Sequence, residues 1–451
     1  MSNQPWFGEF NALRSPMSPR EIRDVMQREL ADCGVRLDPE LLPQQPFLLP
    51  ESSYQELFNS AFALLRLLKK AVQHAGDTRE ARLAALGADE SAYPVFTGDE
   101  EFEDRYSDLM ARPDVVIGPD GPKFVEFNVS GTFGGTTETH VFSRIWHQVY
   151  GDRARSGFWG FDSYEARVKA LQSVLDELGV DRAVAVLGSR RDIPNATSNR
   201  YYDREIQLLR QNGIRATFFE PEELLDGLGL PGALRYPVGL RYFNVMDWQA
   251  HGIDFAPVRT AVEAGWQLVP SQSCGMIANK KVLAWVSSGQ PWMSDTEREI
   301  AERYLPWTRE VKPGEVVWQG RPWSLSELLL ANPENFVLKK SIGMMGLEVL
   351  IGRTADADTW SRTVREALAE GDSIVQEYVE PAHVPMVLGN GSPDGSVTVS
   401  VAPVFSPCLY GTNPGGCLVR FFPDGSSDVV SAWGHGALEN VAMAVGGEHR
   451  P

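Results

Sequence analysis

Histidine and cysteine are scarce here, seven and four residues in a chain of 451. The cysteines, Cys33, Cys274, Cys408 and Cys417, are widely spread and form no CxxC pair. That excludes a disulfide framework and a thiolate metal site, and leaves ordinary buried, reduced thiols. The histidines are scattered, so no His-based metal centre is suggested. No run of about 18 apolar residues exists, so no membrane-spanning helix is predicted. Residues Met1 to Leu30 are polar and carry acids, unlike a secretory signal. Together these absences predict a cytoplasmic protein of enzyme size. Several site signatures are missing too. The dipeptide Gly-Lys does not occur, so there is no GxxxxGK[ST] loop, and neither HExxH nor GxSxG is present. A GxGxxG match at Gly227 to Gly232 follows an acidic helical stretch and contains Pro231, so it lacks the strand–turn–helix context of a dinucleotide loop. Positive charge is in deficit, 42 Lys+Arg against 60 Asp+Glu, for a net charge of −18. This argues against a nucleic-acid partner on a basic face, but not against phosphate held by a few local cations.

What is present reads as a folded protein, with 43% apolar and 23% charged residues and length for two to four domains. Residues 1–100 read as helical. Ser18-Pro19-Arg20-Glu21 is a helix start, and Ser53 to His74 carries apolar residues at helical spacing. Strands are predicted at 114–117 and 123–128, joined by the turn 118–122 and followed by the Gly/Thr-rich loop 131–137. From 160 to 275 the pattern alternates: helix 163–178, strand 183–188, helix 201–212, strand 216–219 and strand 240–245. That order predicts a parallel α/β unit. Residues 276–330 read as mostly helical. Beyond them come a strand at 336–339, a glycine turn at 341–346, a strand at 347–351, a helix at 357–369 and a strand at 373–379. Two antiparallel strands are expected at 397–405 and 417–422.

Three constellations carry chemistry. In the first, Glu126 and Asn128 are two apart on a strand and share a face, and the hairpin turn brings Asp114 and Arg112 alongside. Carboxylate and amide oxygens are hard ligands that suit Mg²⁺ bridging nucleotide phosphates, and Arg112 could offset phosphoryl charge. A solvent-facing polar hairpin is the bland alternative. In the second, Lys339 ends a strand beside the Gly343–Gly346 turn, where a cation and a closing loop can hold phosphate oxygens. In the third, the buried strand through Gln376, Glu377, Tyr378 and Val379 can present backbone groups to an adenine edge, with Glu380 near ribose hydroxyls. Any core strand entering a loop reads similarly.

In this order the three elements resemble the ATP-grasp superfamily. The VLK strand with its glycine loop and the VQEYV strand look like its nucleotide-binding subdomain, with Met344 and Met345 where glycines are more usual and Lys340 in place of a proline. In ordinary members the acid and Asn strands follow the ATP lysines, whereas here they precede them. That order resembles the circularly permuted branch, specifically the synthetase domain of the glutathionylspermidine synthase family. An Arg-x-Asp and a Glu-x-Asn recur there at the spacing of Arg112, Asp114, Glu126 and Asn128. The resemblance implies an α+β / α/β, circularly permuted ATP-grasp fold with an inserted parallel α/β pre-ATP-grasp-like domain. Residues 1–150 would form a helical region plus metal-binding strands, 151–275 the α/β domain, and 276–451 the ATP lid and the rest of the core. It implies Mg²⁺ on Asp114, Glu126 and Asn128, with Arg112 as the catalytic residue supporting the transferred phosphate. It implies ATP contacts from Lys339, Gly343, Gly346, Gln376, Glu377, Tyr378 and Val379. A further lysine comes from the stretch Ala278 to Leu283, either Lys280 or Lys281, with Lys281 favoured. The loop Ser130 to Thr137 would meet the acyl group through backbone N–H donors, with Ser130, Gly131 and Thr132 as substrate-binding residues. Arg420 would hold a substrate carboxylate, unless it is an ordinary strand arginine. The implied activity is an ATP-dependent carboxylate–amine (or carboxylate–thiol) ligase that forms an acylphosphate and releases ADP and phosphate. A kinase or a nucleotide-binding module without chemistry are the alternatives. The expected partners are small-molecule or peptide acids and amines, with no nucleic acid and no membrane, and with a homodimer left open.

Overall fold

A computed structural model describes residues 6–7, 15–32, 41–88, 90–152, 156–192, 200–229, 234–343, 348–392, 394–426 and 436–446. Cys33, Gly346 with Met344 and Met345, and Pro231–Gly232 of the GxGxxG match lie outside the described residues. Along the chain the strands are β1 (Phe47–Pro50), β2 (Met110–Gly118), β3 (Gly121–Val129), β4 (Phe158–Trp159), β5 (Ala183–Leu187), β6 (Arg215–Phe219), β7 (Val238–Arg241), β8 (Gln267–Val269), β9 (Thr308–Glu310), β10 (Glu315–Trp318), β11 (Arg321–Ser324), β12 (Phe336–Lys340), β13 (Val349–Ile351), β14 (Ser373–Glu377), β15 (Val384–Gly389), β16 (Ser396–Val401), β17 (Val404–Tyr410), β18 (Asn413–Phe421) and β19 (Leu438–Val445). Helices lie between them, so the fold is mixed α and β with several sheets.

The central sheet runs β1-β19-β18-β17-β2-β3, with β4 on the flank of β19. One face is covered by the helix Glu51–His74. Its buried stripe Tyr54, Leu57, Phe58, Ala61, Leu64, Leu65 and Leu68 repeats every three to four residues and packs on β17 and β19. Against the other side lie the helices Thr136–Tyr150 and Ser163–Leu178. There the fully buried Trp146 donates from Nε1 to Asn440 Oδ1 at 2.9 Å, so the one polar atom of a large apolar side chain is satisfied. A second sheet, β6-β5-β7-β8, is parallel throughout and fully buried along β5 and β7, matching its continuous apolar runs. A third, β13-β12-β14-β9, is antiparallel; β10–β11 and β15–β16 are separate hairpins. Among the described residues no helix is long and apolar enough to cross a membrane.

Several elements differ from the sequence reading. Residues 1–100 are not all helical, because the short β1 pairs in parallel with β19. The strand expected at 240–245 ends at Arg241, and Asn244 instead caps the helix Val245–Ala250. Residues 276–330 hold β9 and the β10–β11 hairpin, whose two-residue turn places Gln319 at φ 49° and Gly320 at φ 74°. The strand expected at 397–405 is split at Ala402-Pro403. Pro403 has no N–H to continue a ladder, and β16 and β17 belong to different sheets. Gly227 lies in the short helix Leu224–Leu228, where a Cβ would sit 2.1 Å from the Phe219 ring; its role is close packing.

Candidate functional site

The β2–β3 pair sets the geometry. Arg112 stands opposite Asn128 and Asp114 opposite Glu126, so all four side chains project from one face. The alternation expected along 123–128 is broken by a bulge: Val115 pairs with Phe124, and Val125 is the extra residue. The bulge lets Phe124 and Phe127, three apart, both enter the core while Glu126 and Asn128 stay on the polar face. It also frees the Val125 carbonyl, which accepts from Lys339 Nζ at 3.0 Å.

Asp114 is the hub. Its Oδ1 accepts from Arg420 Nη2 at 2.6 Å and from Ser406 Oγ at 2.8 Å, and Arg112 Nε lies 3.8 Å away. Burial alone would raise its pKa, yet Arg420 and Arg112 hold the carboxyl below its ordinary value. Arg112 donates from Nη1 to Gly134 O at 3.1 Å, and Asn128 Nδ2 donates to Arg112 O at 3.1 Å. Glu126 pairs with Lys280 Nζ at 2.9 Å; the same ammonium donates to Gly343 O at 3.2 Å. Lys339, 8% exposed, also donates to Gln376 Oε1 at 2.8 Å, and Gln376 donates in turn to Thr308 Oγ1. Burial pushes the Lys339 ammonium down to about 8. The chain beyond β14 returns to the β2–β3 turn: Ala382 N donates to Ile117 O, and Val379 packs against Gly118. Glu377 accepts from Trp318 Nε1, the Arg353 guanidinium stacks 3.8 Å over Tyr378, and Glu380 pairs with Arg353 at 2.5 Å. Residues Glu377 to Val379 stay half-buried beside this junction.

Thus Arg112, Asp114, Glu126, Asn128, Lys339, Gln376 and Gly343 come together with Arg420. Lys281 is not part of the group. Its Nζ donates to Leu86 O at the C-terminus of the helix Arg79–Leu86, while Lys280 holds Glu126, because consecutive helical residues point about 100° apart. Arg420 is not a surface residue. It is 8% exposed and bonded to Asp114 and Ser406. The N–H donors of Ser130 and Thr132 are used internally, by Met110 O and Ser130 Oγ.

The loop is instead anchored by its carbonyl. Gly131 O accepts from Arg167 Nη2 at 2.7 Å, and Arg167 forms an ion pair with Glu205 at 3.1 Å, each side chain 1% exposed. An Arg167→Met chain leaves Glu205 buried and unpaired and should lose about 3–5 kcal/mol in urea unfolding. Adding Glu205→Leu should restore most of that loss.

Glu138 and Glu439 were not singled out by sequence reasoning. Glu439 stands opposite Arg420 in the β18–β19 register. Burial and the neighbouring Glu138 push its carboxyl up to about 8. Glu138 heads the helix Thr136–Tyr150, and its buried Oε2 lacks a partner. The one available signal was the apolar run 441–445, which marks β19.

No protein-family model matches the chain, and no curated protein matches its sequence. Solved structures do. A glutathione synthetase-like effector from Globodera pallida superposes with a TM-score of 0.57 at 14% identity, over 95% of this chain and 98% of that one. A putative gamma-glutamylcysteine synthetase from Methylobacillus flagellatus reaches a TM-score of 0.42 at 12% identity, over 84% and 87%. A D-cycloserine synthetase gives 0.27 at 18%, over 58% and 91%. The first of these shows a shared fold.

Proposed function

We propose that the chain is an ATP-dependent ligase joining a carboxylate to an amine, built on a circularly permuted ATP-grasp fold. The parallel sheet at 151–275 would be an inserted unit between the metal-binding strands of 1–150 and the lid and core of 276–451. The observation that carries this reading is convergence. Two carboxylates, an amide and four cations, from β2, β3, the helix Lys280–Ser287, β12 and β18, meet at one place in an otherwise acidic protein. The fold likeness to a synthetase-like protein supports it.

The residues fit Mg²⁺. The described contacts of Asp114 fall on Oδ1 and that of Glu126 on Oε1, and Asn128 uses its Nδ2. One oxygen on each of the three is left for a cation. Among the described residues no three His, Cys, Asp or Glu side chains form a metal-holding group. A bound ion would therefore complete its shell with water and phosphate, as Mg²⁺ commonly does. When bound, Mg²⁺ supplies charge neutralisation and alignment of phosphate oxygens.

In the proposed reaction a substrate carboxylate oxygen attacks the γ-phosphorus and ADP leaves. An amine then attacks the acyl carbon, loses its proton, and phosphate departs. Arg112 sits to offset charge on the transferred group. Lys280 and Lys339 are the phosphate cations, and the strand exit Glu377–Val379 flanks the base. The protein's contribution is positioning and electrostatics. The test is ADP formation across acid and amine pairs, with hydroxylamine present. Hydroxamate formation supports an acylphosphate; ADP without it favours a kinase; no ADP with any pair refutes the ligase reading.

Lys339 gives a pH signature. Its ammonium ionises near 8 in the folded chain against 10.5 ordinarily. The unfolded chain therefore binds more protons between those values, and the ligand-free protein gains stability as pH rises through that window. Nucleotide phosphates need the charged form, so affinity for Mg-ADP should fall as pH rises past 8, with proton uptake on binding. Calorimetry in two buffers of different protonation enthalpy checks this.

A further inference from the structure

Arg241, the last residue of β7, is 4% exposed, yet no carboxylate pairs with it among the described residues. Its Nη1 reaches Ser271 O and Cys274 Sγ only at 3.5 Å, and its Nε has no hydrogen-bond partner. Glu103, whose charge also reaches Cys274, is spent on Ser273 and the Thr97 N–H. A buried guanidinium without a counter-ion is costly, so such groups are normally paired. Two buried amides lie on the adjoining segment. Gln272, 3% exposed, has an unpartnered Oε1, whereas Asn279, 2% exposed, serves the Tyr93 phenol and the Lys281 N–H. Tyr93 links the group: its ring packs on Gly275, and its phenol feels Cys274, Asn279 and Arg241.

The place is informative. The strand order β6-β5-β7-β8 turns back between β5 and β7, and the carboxyl ends of strands at such a point form a ligand crevice in α/β sheets. Arg241 O lies 1.9 Å from where a Cβ on Gly131 would be, so the end of β7 packs directly on the loop after β3. Asn279 immediately precedes Lys280, which holds Glu126. The orphan group therefore abuts the proposed ligase site from two sides.

We propose that Arg241 and Gln272 form a subsite for a carboxylate-bearing amino acid or small peptide. The guanidinium takes a carboxylate that is not activated, and Gln272 Oε1 accepts from an ammonium or amide N–H. This rests on the ligase reading and adds its substrate class.

The experiment titrates the full chain with L-glutamate, glutarate, the neutral glutaramide and inorganic phosphate, with Mg-ADP measured in parallel. L-glutamate should bind more tightly than glutarate, and glutaramide should not bind. Arg241→Met should weaken L-glutamate at least about tenfold, as loss of a charge-assisted pair does, and Gln272→Leu should erase the preference over glutarate. The unliganded Arg241→Met chain should melt no lower than wild type, because an unpaired buried charge has been removed; a purely structural arginine would lower it. If Arg241→Met does not fold, Arg241→Lys carries the test, and L-glutamate affinity unchanged in it, where the planar two-pronged contact is lost, overturns the proposal. Binding of phosphate alone, of no probe, of glutarate and glutaramide alike, or of L-glutamate equally by wild type and Arg241→Met overturns it. Mg-ADP binding without any carboxylate binding sinks the subsite and spares the nucleotide reading. Carboxylate binding lost in Arg241→Met, with no Mg-ADP binding, does the reverse.

Discussion

Asp114→Asn should cost both stability and turnover, whereas Glu126→Gln should cost turnover with a smaller loss of stability. The two carboxylates face each other across β2 and β3 but are held differently. Asp114 neutralises Arg420 at 2.6 Å, each side chain about a tenth exposed, and Arg112 lies 3.8 Å away. Replacing it leaves two buried guanidinium groups short of charge, and breaking a buried pair in this way costs about 3–5 kcal/mol. Glu126 is 28% exposed, but its partner Lys280 is only 6% exposed and keeps Gly343 O alone once the charge is gone, so the amide costs a smaller share of stability. Both variants remove a proposed Mg²⁺ ligand, and ADP formation should fall by roughly 10²–10³ or more in each. The pH dependence has a definite sign. The Asp114 carboxyl is depressed below its ordinary 3.8, so its stabilising contribution is full above 3.8 and is lost as pH falls through the depressed value. The stability gap between wild type and Asp114→Asn should thus be constant from neutral pH down to about 4 and narrow below it. Urea unfolding at pH 7 and pH 3 measures it. A gap unchanged at pH 3 would show that Asp114 stabilises by shape rather than charge.

Much of the fold was legible because periodicity reports burial. The helix Glu51–His74 was visible in its apolar stripe, and the parallel sheet in uninterrupted runs such as Ala183–Leu187. What escaped was decided by tertiary context. β1 is four residues long and exists because β19 offers a parallel partner. β9 has the polar sequence Thr-Arg-Glu and is a strand because β14 pairs with it. The bulge at Val125 lies between two readings of the same residues. Strict alternation would set Phe124 beside Glu126 on one face, and only burial of both Phe124 and Phe127 forces the extra residue.

The candidate site was legible where spacing alone fixes geometry. Arg112, Asp114, Glu126 and Asn128 share a face because strand period and a short turn require it. Residues meeting from distant segments were not. Ser406 is 292 residues from Asp114, and Glu439 meets Arg420 through a strand with no polar pattern. Arg420 was found, but its partner was not: a sequence offers a guanidinium many carboxylates, and burial selects one.

Lys280 and Lys281 show the same limit at one residue's resolution, and they separate cleanly by experiment. Asn279 caps the helix Lys280–Ser287 by accepting from the Lys281 N–H, which fixes the direction in which each lysine leaves the first turn. Lys280 N donates to Ser341 O, so this turn is tied to the end of β12, and its ammonium bridges Glu126 and Gly343 O. Lys281 crosses to Leu86 O, where a cation meets the negative end of the helix Arg79–Leu86. Lys280→Met should therefore lower ADP formation by about 10²-fold or more, since it removes a charge proposed to offset developing phosphate charge. Its unfolding midpoint should move little, because Glu126 retains solvent access. Lys281→Met should do the opposite, losing about 1–2 kcal/mol of stability with the carbonyl bond and the helix-end charge, while KM for ATP stays at its wild-type value. A KM for ATP that rises in Lys281→Met and not in Lys280→Met would reassign the phosphate contact to the outer lysine. It would also mean that the helix Lys280–Ser287 turns on its axis when nucleotide binds, for only a rotation of about 100° exchanges the two side chains.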